Sequence, residues 1–231
     1  MIKTKNLYSS FFIIFVFAFS LPSFAFYTTQ ESAEVTKPGT YKIGGEPQVM
    51  LAGGSGLNLS AFVDRGLTDS TSVRGYLGFG DIDFVAGVSY KWIPYPDYQN
   101  QPAMGLKVEG LYGREGNNNI FGVKLHPLIS KKFDTDAGLF IPYGSIPIGT
   151  VSIGSKNDFT VQLVGGTEFI SPKLERWHFG AELGVNASNS VGYIASYVEY
   201  LLDEPTHSAV RREHVDAAPE KPVKKTGKKK R

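Results

Sequence analysis

The stretch DIDFVAGVSYKW, residues 81–92, decides how the rest of the chain is read. Every second residue gives Ile82, Phe84, Ala86, Val88, Tyr90 and Trp92, apolar throughout and aromatic at its end. The other set is Asp83, Val85, Gly87, Ser89 and Lys91. A period of two is the mark of an extended strand with two unlike faces. In a soluble sandwich the apolar face would be the core and the charged face would meet water. In a closed barrel immersed in lipid the assignment inverts, and the charged, glycine-bearing face looks into the lumen.

The same alternation recurs on both sides of this stretch. Leu57, Leu59, Ala61 and Val63 alternate with Asn58, Ser60, Phe62 and Asp64, and Val73, Gly75, Leu77 and Phe79 with Ser72, Arg74, Tyr76 and Gly78. Met104, Leu106, Val108 and Tyr112 oppose Gly105, Lys107, Glu109 and Gly113, while Phe121, Val123 and Leu125 oppose Gly122, Lys124 and His126. Ten strands are expected, at 41–52, 56–66, 71–80, 82–93, 103–115, 119–131, 138–153, 158–170, 176–187 and 190–202. The connections between them are turn chemistry: AGGSG, GLTDST, GFGD, REGNNN, KKFDTD, GSKND, SPKLER and ASNS, with one longer Pro-rich piece, IPYPDYQNQP. Roughly 16 residues per strand and connection fits membrane barrels, whose strands run to about 10 residues. Pro142 and Pro147 cannot donate to a ladder, so 138–153 is expected to contain a bulge or an irregularity.

Aromatic residues sort by strand end. Tyr90, Trp92, Phe169, Trp177 and Phe179 fall at one end of an up-and-down barrel, and Phe79, Tyr112 and Phe159 at the other. Amphipathic rings favour both membrane interfaces, so this is the expected pair of girdles. The core of a sandwich would not sort its rings in this way.

The two ends of the chain differ from the body. Lys3 and Lys5, the apolar run FFIIFVFAFSLP and the small residues Ser23 and Ala25 have the layout of a secretory signal peptide cleaved after Ala25. The chain has no cysteine, so an exported domain of this kind must draw stability from a closed hydrogen-bonded architecture or a large core. Residues 26–202 carry 13 basic and 17 acidic side chains, whereas 203–231 carry nine basic and five acidic. The tail lacks a periodic apolar face, and a disordered basic extension is expected there.

The last strand, SVGYIASYVEYLL, resembles the assembly signal at the end of bacterial outer-membrane β-barrels through Ser190, Gly192, Ala195 and Tyr197. It departs from that class in continuing for 29 residues past Leu202. The resemblance is to the general class and to no particular family. It implies an outer-membrane location, and an even strand number would leave both termini in the periplasm.

The inward face is expected to hold a polar network of Lys42, Glu46, Asp64, Arg74, Asp83, Lys91, Lys107, Glu109, Lys124, His126, Glu168, His178 and Glu182. Five basic against six acidic groups suggests charges that pair across the lumen, since an unpaired charge in a narrow space is costly. Inward Gly44, Gly78, Gly87, Gly105, Gly113, Gly122, Gly166, Gly180 and Gly184 leave volume for water, a small solute or the longer neighbouring side chains. A ten-stranded barrel is close to the size that side chains fill, which favours the last of these.

Only His126 and His178 lie in the barrel region, on the inward face, and no nucleophile, base and orienting third group stand together in the sequence. No catalytic, cofactor-binding or metal-binding residue is therefore assigned, and no cofactor is expected. The fold class is all-β: an antiparallel up-and-down transmembrane barrel of about ten strands, with eight to twelve compatible with the pattern. Its parts are a signal peptide (1–25), an N-terminal periplasmic segment (26–40), the barrel (41–202) and the basic tail (203–231). The expected partner is a lipid bilayer, with anionic lipid or cell-wall groups for the tail and no nucleic acid. The expected role is structural or that of a narrow, porin-like pore, without catalysis. Two alternatives are a periplasmic lipocalin-like barrel that binds an apolar ligand, and an outer-membrane lipid-modifying enzyme.

Overall fold

The computed structural model describes residues 31–51 and 56–202. The signal peptide, most of the AGGSG turn and the basic tail lie outside the described residues.

Twelve strands follow in order: β1 (Tyr41–Met50), β2 (Gly56–Thr68), β3 (Thr71–Gly80), β4 (Phe84–Tyr95), β5 (Ala103–Glu115), β6 (Asn118–Ser130), β7 (Phe133–Thr135), β8 (Gly138–Ser145), β9 (Ile148–Ile153), β10 (Lys156–Ile170), β11 (Trp177–Ser188) and β12 (Tyr193–Leu202). All pairings among them are antiparallel, and β1 pairs with β12 from Tyr41↔Leu202 to Met50↔Tyr193, so the sheet closes on itself. The wall has ten staves, because β8 and β9 together make one. β9 bridges Ile120–Leu125 of β6 and Lys156–Val161 of β10, while β8 bridges the ends of the same two strands nearer the chain termini. The break falls at Ile146 and Pro147, where proline has no N–H to give, and the Pro147 carbonyl still accepts from the Gln162 amide at 3.0 Å. The irregularity expected within 138–153 is this interruption. The short β7 hairpins with β8 at the rim.

Tight turns join the staves at the end far from the termini. Gly116 and Gly154 sit in two such hairpins, each with φ +57°, a conformation that only residues without a Cβ adopt freely.

The apolar set of each strand faces outward. Leu57, Leu59, Val63, Leu77, Val88, Val108, Val123, Leu163, Leu183 and Ile194 are all exposed, and together they form a continuous greasy wall. Aromatic rings crown it at both ends, and neighbouring strands bring them into contact. At the far end Phe79 meets Phe84 with centroids 5.5 Å apart and Tyr112 meets Phe121 at 5.0 Å. At the termini end Phe140 meets Phe169 at 4.7 Å and Trp177 meets Tyr200 at 4.9 Å. Tyr90, Trp92 and Phe159 are also exposed, and Phe169 and Phe179 are half-buried.

The interior is filled. Five inward rings lie on glycines directly opposite them on the paired strand: Phe62 on Gly44, Tyr76 on Gly87, Tyr143 on Gly166, Tyr197 on Gly180 and Tyr193 on Gly184. At each of these a Cβ on the glycine would stand within 2.5 Å of a ring carbon or hydroxyl. These five glycines are therefore seats for aromatic rings, and Gly122 is likewise covered by Leu111. Phe62, Tyr76, Tyr143 and Tyr197 join Ile82, Val85, Leu111, Ile120 and Val151 in one buried apolar cluster that crosses the lumen.

The segment before β1 closes the termini end. Ala33 is buried against Ile93, Ala103 and Leu128, with Val35 packed beside them, and Glu31, Ser32 and Thr36 are also buried. The sequence had offered no sign that residues 31–36 would enter the barrel mouth.

Candidate functional site: the charged lumen

The inner wall carries a row of charge that follows the strand pairing. Lys42 lies opposite Asp64, Asp64 opposite Arg74, Arg74 opposite Ser89, Ser89 opposite Glu109, and Glu109 opposite Lys124. Signs alternate around six staves, interrupted only by a serine. Directly opposed residues approach to about 5 Å between Cβ atoms, so this register places each charge beside one of opposite sign.

Arg74 is the hub. Its Nε lies 2.5 Å from Asp64 Oδ1, and its Nη2 lies 3.1 Å from Glu31 and 3.0 Å from Glu199. Its guanidinium also lies over the Phe62 ring, 4.0 Å from the centroid. Lys42 reaches the other oxygen of Glu199 at 3.0 Å. Lys91 pairs with Glu31 at 3.1 Å and donates to the carbonyls of Ser32 and Glu34. Burial alone would push the Glu31 carboxyl up, but Arg74, Lys91 and Lys107 outweigh it and hold the group well below the usual carboxylate range.

Two histidine–glutamate pairs lie on the same wall. His126 Nε2 is 2.8 Å from Glu109, which also accepts from the Tyr76 hydroxyl at 2.5 Å. His178 Nδ1 is 2.7 Å from Glu168, whose second oxygen accepts from Ser32 at 2.7 Å. Glu182 accepts from Tyr143 at 2.7 Å and from Tyr193 at 2.5 Å. Lys107 and Lys124 are buried on the same face.

Asp83 does not belong to this set. Residues 81–83 form a bend, β4 begins only at Phe84, and Asp83 is exposed with its carboxylate accepting from the Gly116 amide at 2.8 Å. Ile82 turns inward in its place and joins the apolar cluster. Extending the alternation back through the bend reversed both residues. Of the other twelve polar residues expected inside, His178 is half-buried and the rest are buried.

Glu199, Glu31, Tyr143 and Tyr193 were not foreseen, whereas Tyr76 already stood in the polar set of its strand. Glu199 shares the inward set of β12 with Ala195 and Tyr197, so the alternation did contain it. Glu31 precedes every strand, and no periodic signal could have pointed to it.

Glu168, His178 and Glu199 offer ligand atoms within 4.8 Å of one another. Glu199, however, is already matched by Lys42 and Arg74, and a metal ion there would sit against both cations. The trio reads as part of the ion-pair network.

No family model and no curated protein matches the chain. Among solved structures it is similar to the translocator domain of the autotransporter NalP from Neisseria meningitidis, at 11% identity and TM-score 0.44, covering 73% of this chain and 90% of that one. It is also similar to a bacterial polysaccharide outer membrane secretin, at 11% identity and TM-score 0.38, covering 71% of this chain and 65% of that one. Apolar outside, charged inside, antiparallel and closed, the architecture is that of a bacterial outer-membrane β-barrel.

Proposed function

We propose that this chain is a small outer-membrane barrel with a structural role, its lumen closed to bulk flow. The observation that carries this reading is the inversion of the two faces, with an apolar wall between two aromatic belts outside and a paired charge network within. A water-exposed barrel would turn that wall inward. A lipocalin-like arrangement is disfavoured for the same reason, since the interior offers charge where an apolar ligand would need grease.

Support for a closed lumen comes from the rings seated on glycines, the apolar cluster across the barrel and the segment in its mouth. The reading assigns no reaction. His126 and His178 each lie against a glutamate. With the termini rim toward the periplasm, the basic tail would face anionic lipid head groups or cell-wall acids and associate by screened attraction.

Fractionation of expressing cells tests the location, with gel mobility of heated and unheated samples as the test of closure. Recovery in the outer membrane with a heat-dependent mobility shift, and no conductance steps in planar bilayers, is expected. A soluble periplasmic protein would overturn the reading, and steady conductance would replace the closed lumen with a narrow pore.

A further inference from the structure

The buried carboxylates of the lumen are matched with one exception. Asp64, Glu31 and Glu199 have Arg74; Glu109 and Glu168 have histidines; Glu182 has two tyrosine hydroxyls. Glu46 is 2% exposed, and among the described residues neither of its carboxylate oxygens has a hydrogen-bond partner. One pleat further along β1, about 7 Å away, Gln48 is fully buried with both its amide oxygen and its amide nitrogen unpartnered. Four polar atoms on two adjacent inward side chains are thus left without protein partners. Burying even one such group bare costs on the order of a few kcal/mol, and a bare carboxylate costs more.

A second carboxylate, Glu182, lies beside this pair, and Lys107 and Arg74 act electrostatically on both Glu46 and Glu182. Gln48 is paired with Ala195, and Ala195 with Glu182, so Gln48 and Glu182 flank a single methyl on the inner face. Both have side chains long enough to converge above it. Glu182 is fixed there by Tyr143 and Tyr193, which are themselves seated on Gly166 and Gly184. Arg74 and Lys42, the cations that serve the other carboxylates, are engaged with Asp64, Glu31 and Glu199.

We propose that this part of the inner wall binds a hard metal cation, with the Glu46 carboxylate, the Gln48 amide oxygen and the Glu182 carboxylate as its oxygen ligands. Two carboxylates and one carbonyl are the donor chemistry that calcium-like ions take, and the ion completes its shell with water. The ion satisfies the Glu46 carboxylate and the Gln48 amide oxygen, and its bound water can accept from the Gln48 amide nitrogen. The site adds to the closed-barrel reading without depending on a conducting lumen.

Terbium is a direct probe, because it replaces calcium and its emission is excited through nearby tyrosines; Tyr143 and Tyr193 stand on Glu182. The refolded full-length barrel is titrated with terbium and then challenged with calcium, with heat-dependent gel mobility confirming that each variant is folded. Saturable, calcium-displaceable emission is expected, with affinity falling at least about tenfold in Glu46→Gln, since loss of even an outer-shell partner commonly costs that much. Asp83→Asn, at an exposed carboxylate, is expected to leave the titration unchanged. Binding that is identical in folded Glu46→Gln places the ion elsewhere and overturns the proposal. Absence of binding, with a protonated-carboxyl infrared band that disappears in Glu46→Gln, overturns it as well by showing Glu46 to be a neutral acid. Should Glu46→Gln fail to fold, Gln48→Leu supplies the second variant and must weaken terbium binding for the site to stand.

Discussion

The Glu31 carboxylate lies 3.1 Å from the Lys91 ammonium, although 60 positions separate them and Glu31 belongs to no strand. The other hydrogen bonds of Lys91, to the carbonyls of Ser32 and Glu34, come from the same short segment. A lysine in the inner wall therefore relies on residues 31–34 for its pairing.

Replacing Glu31 by Gln is expected to destabilise the folded barrel by about 3 kcal/mol, because two buried cations lose their shared counter-charge. The effect should depend on pH. The carboxyl is held below its ordinary value of 4.5 in the folded state, so its contribution is complete above that value and declines as pH falls further. Urea midpoints of the wild type and Glu31→Gln should differ most at pH 7 and converge on acidification below about 4.5. A gap that stays constant from pH 7 to pH 3 would contradict the pairing.

Asp64 and Asp83 give a test of inside against outside. Asp64 is buried in bidentate contact with Arg74, whereas Asp83 is exposed. Asp64→Asn should cost about 3–5 kcal/mol by leaving part of a buried guanidinium unmatched. Asp83→Asn should cost at most about 1 kcal/mol, the scale of one hydrogen bond at a turn. Denaturant midpoints of the two single variants decide the matter.

Two glycine-to-alanine changes should act in opposite directions. A Cβ on Gly180 would fall 1.9 Å from Cζ of Tyr197, whereas one on Gly75 meets nothing within 4 Å. Gly180→Ala is expected to destabilise by about 1–3 kcal/mol through overpacking. Gly75→Ala should be neutral or stabilise by up to about 1 kcal/mol, because glycine weakens strand interiors. Equal effects in chemical unfolding would mean that the ring does not occupy that seat.

The outer wall makes its own prediction. Val88 is exposed midway along β4, and Leu67 is exposed near the end of β2. For a barrel in lipid vesicles, Val88→Arg should cost about 2–4 kcal/mol and Leu67→Arg about 0–1 kcal/mol, following depth in the bilayer. A barrel whose outer face met water would tolerate both changes alike.

The wall of this protein was legible because nine of the ten staves follow a period of two over ten or more residues. Strand limits read from alternation lie close to those observed, and Pro147 marked the one broken stave. The interior was legible only in part. That Lys42, Asp64 and Arg74 face inward follows from alternation alone; that Arg74 serves Asp64, Glu199 and Glu31 at once depends on register and on a segment without periodicity. The glycines were visible, as were Phe62 and Tyr76 on the inner face, but which ring sits on which glycine depends on register with a neighbouring strand. Asp83 was misplaced because a bend interrupts the pleat just before β4.

The five ring-and-glycine contacts also have a consequence for how neighbouring strands find their alignment. Each ring belongs to one strand and its seat to the next, like wards on a key and notches in a lock. If β12 slid along β11 by two residues, Tyr197 would stand opposite His178 or Glu182 instead of Gly180. Faces would remain correct after such a slip, so hydrophobic patterning alone could not reject it. The seats reject it by steric exclusion at five contacts on four strand pairs.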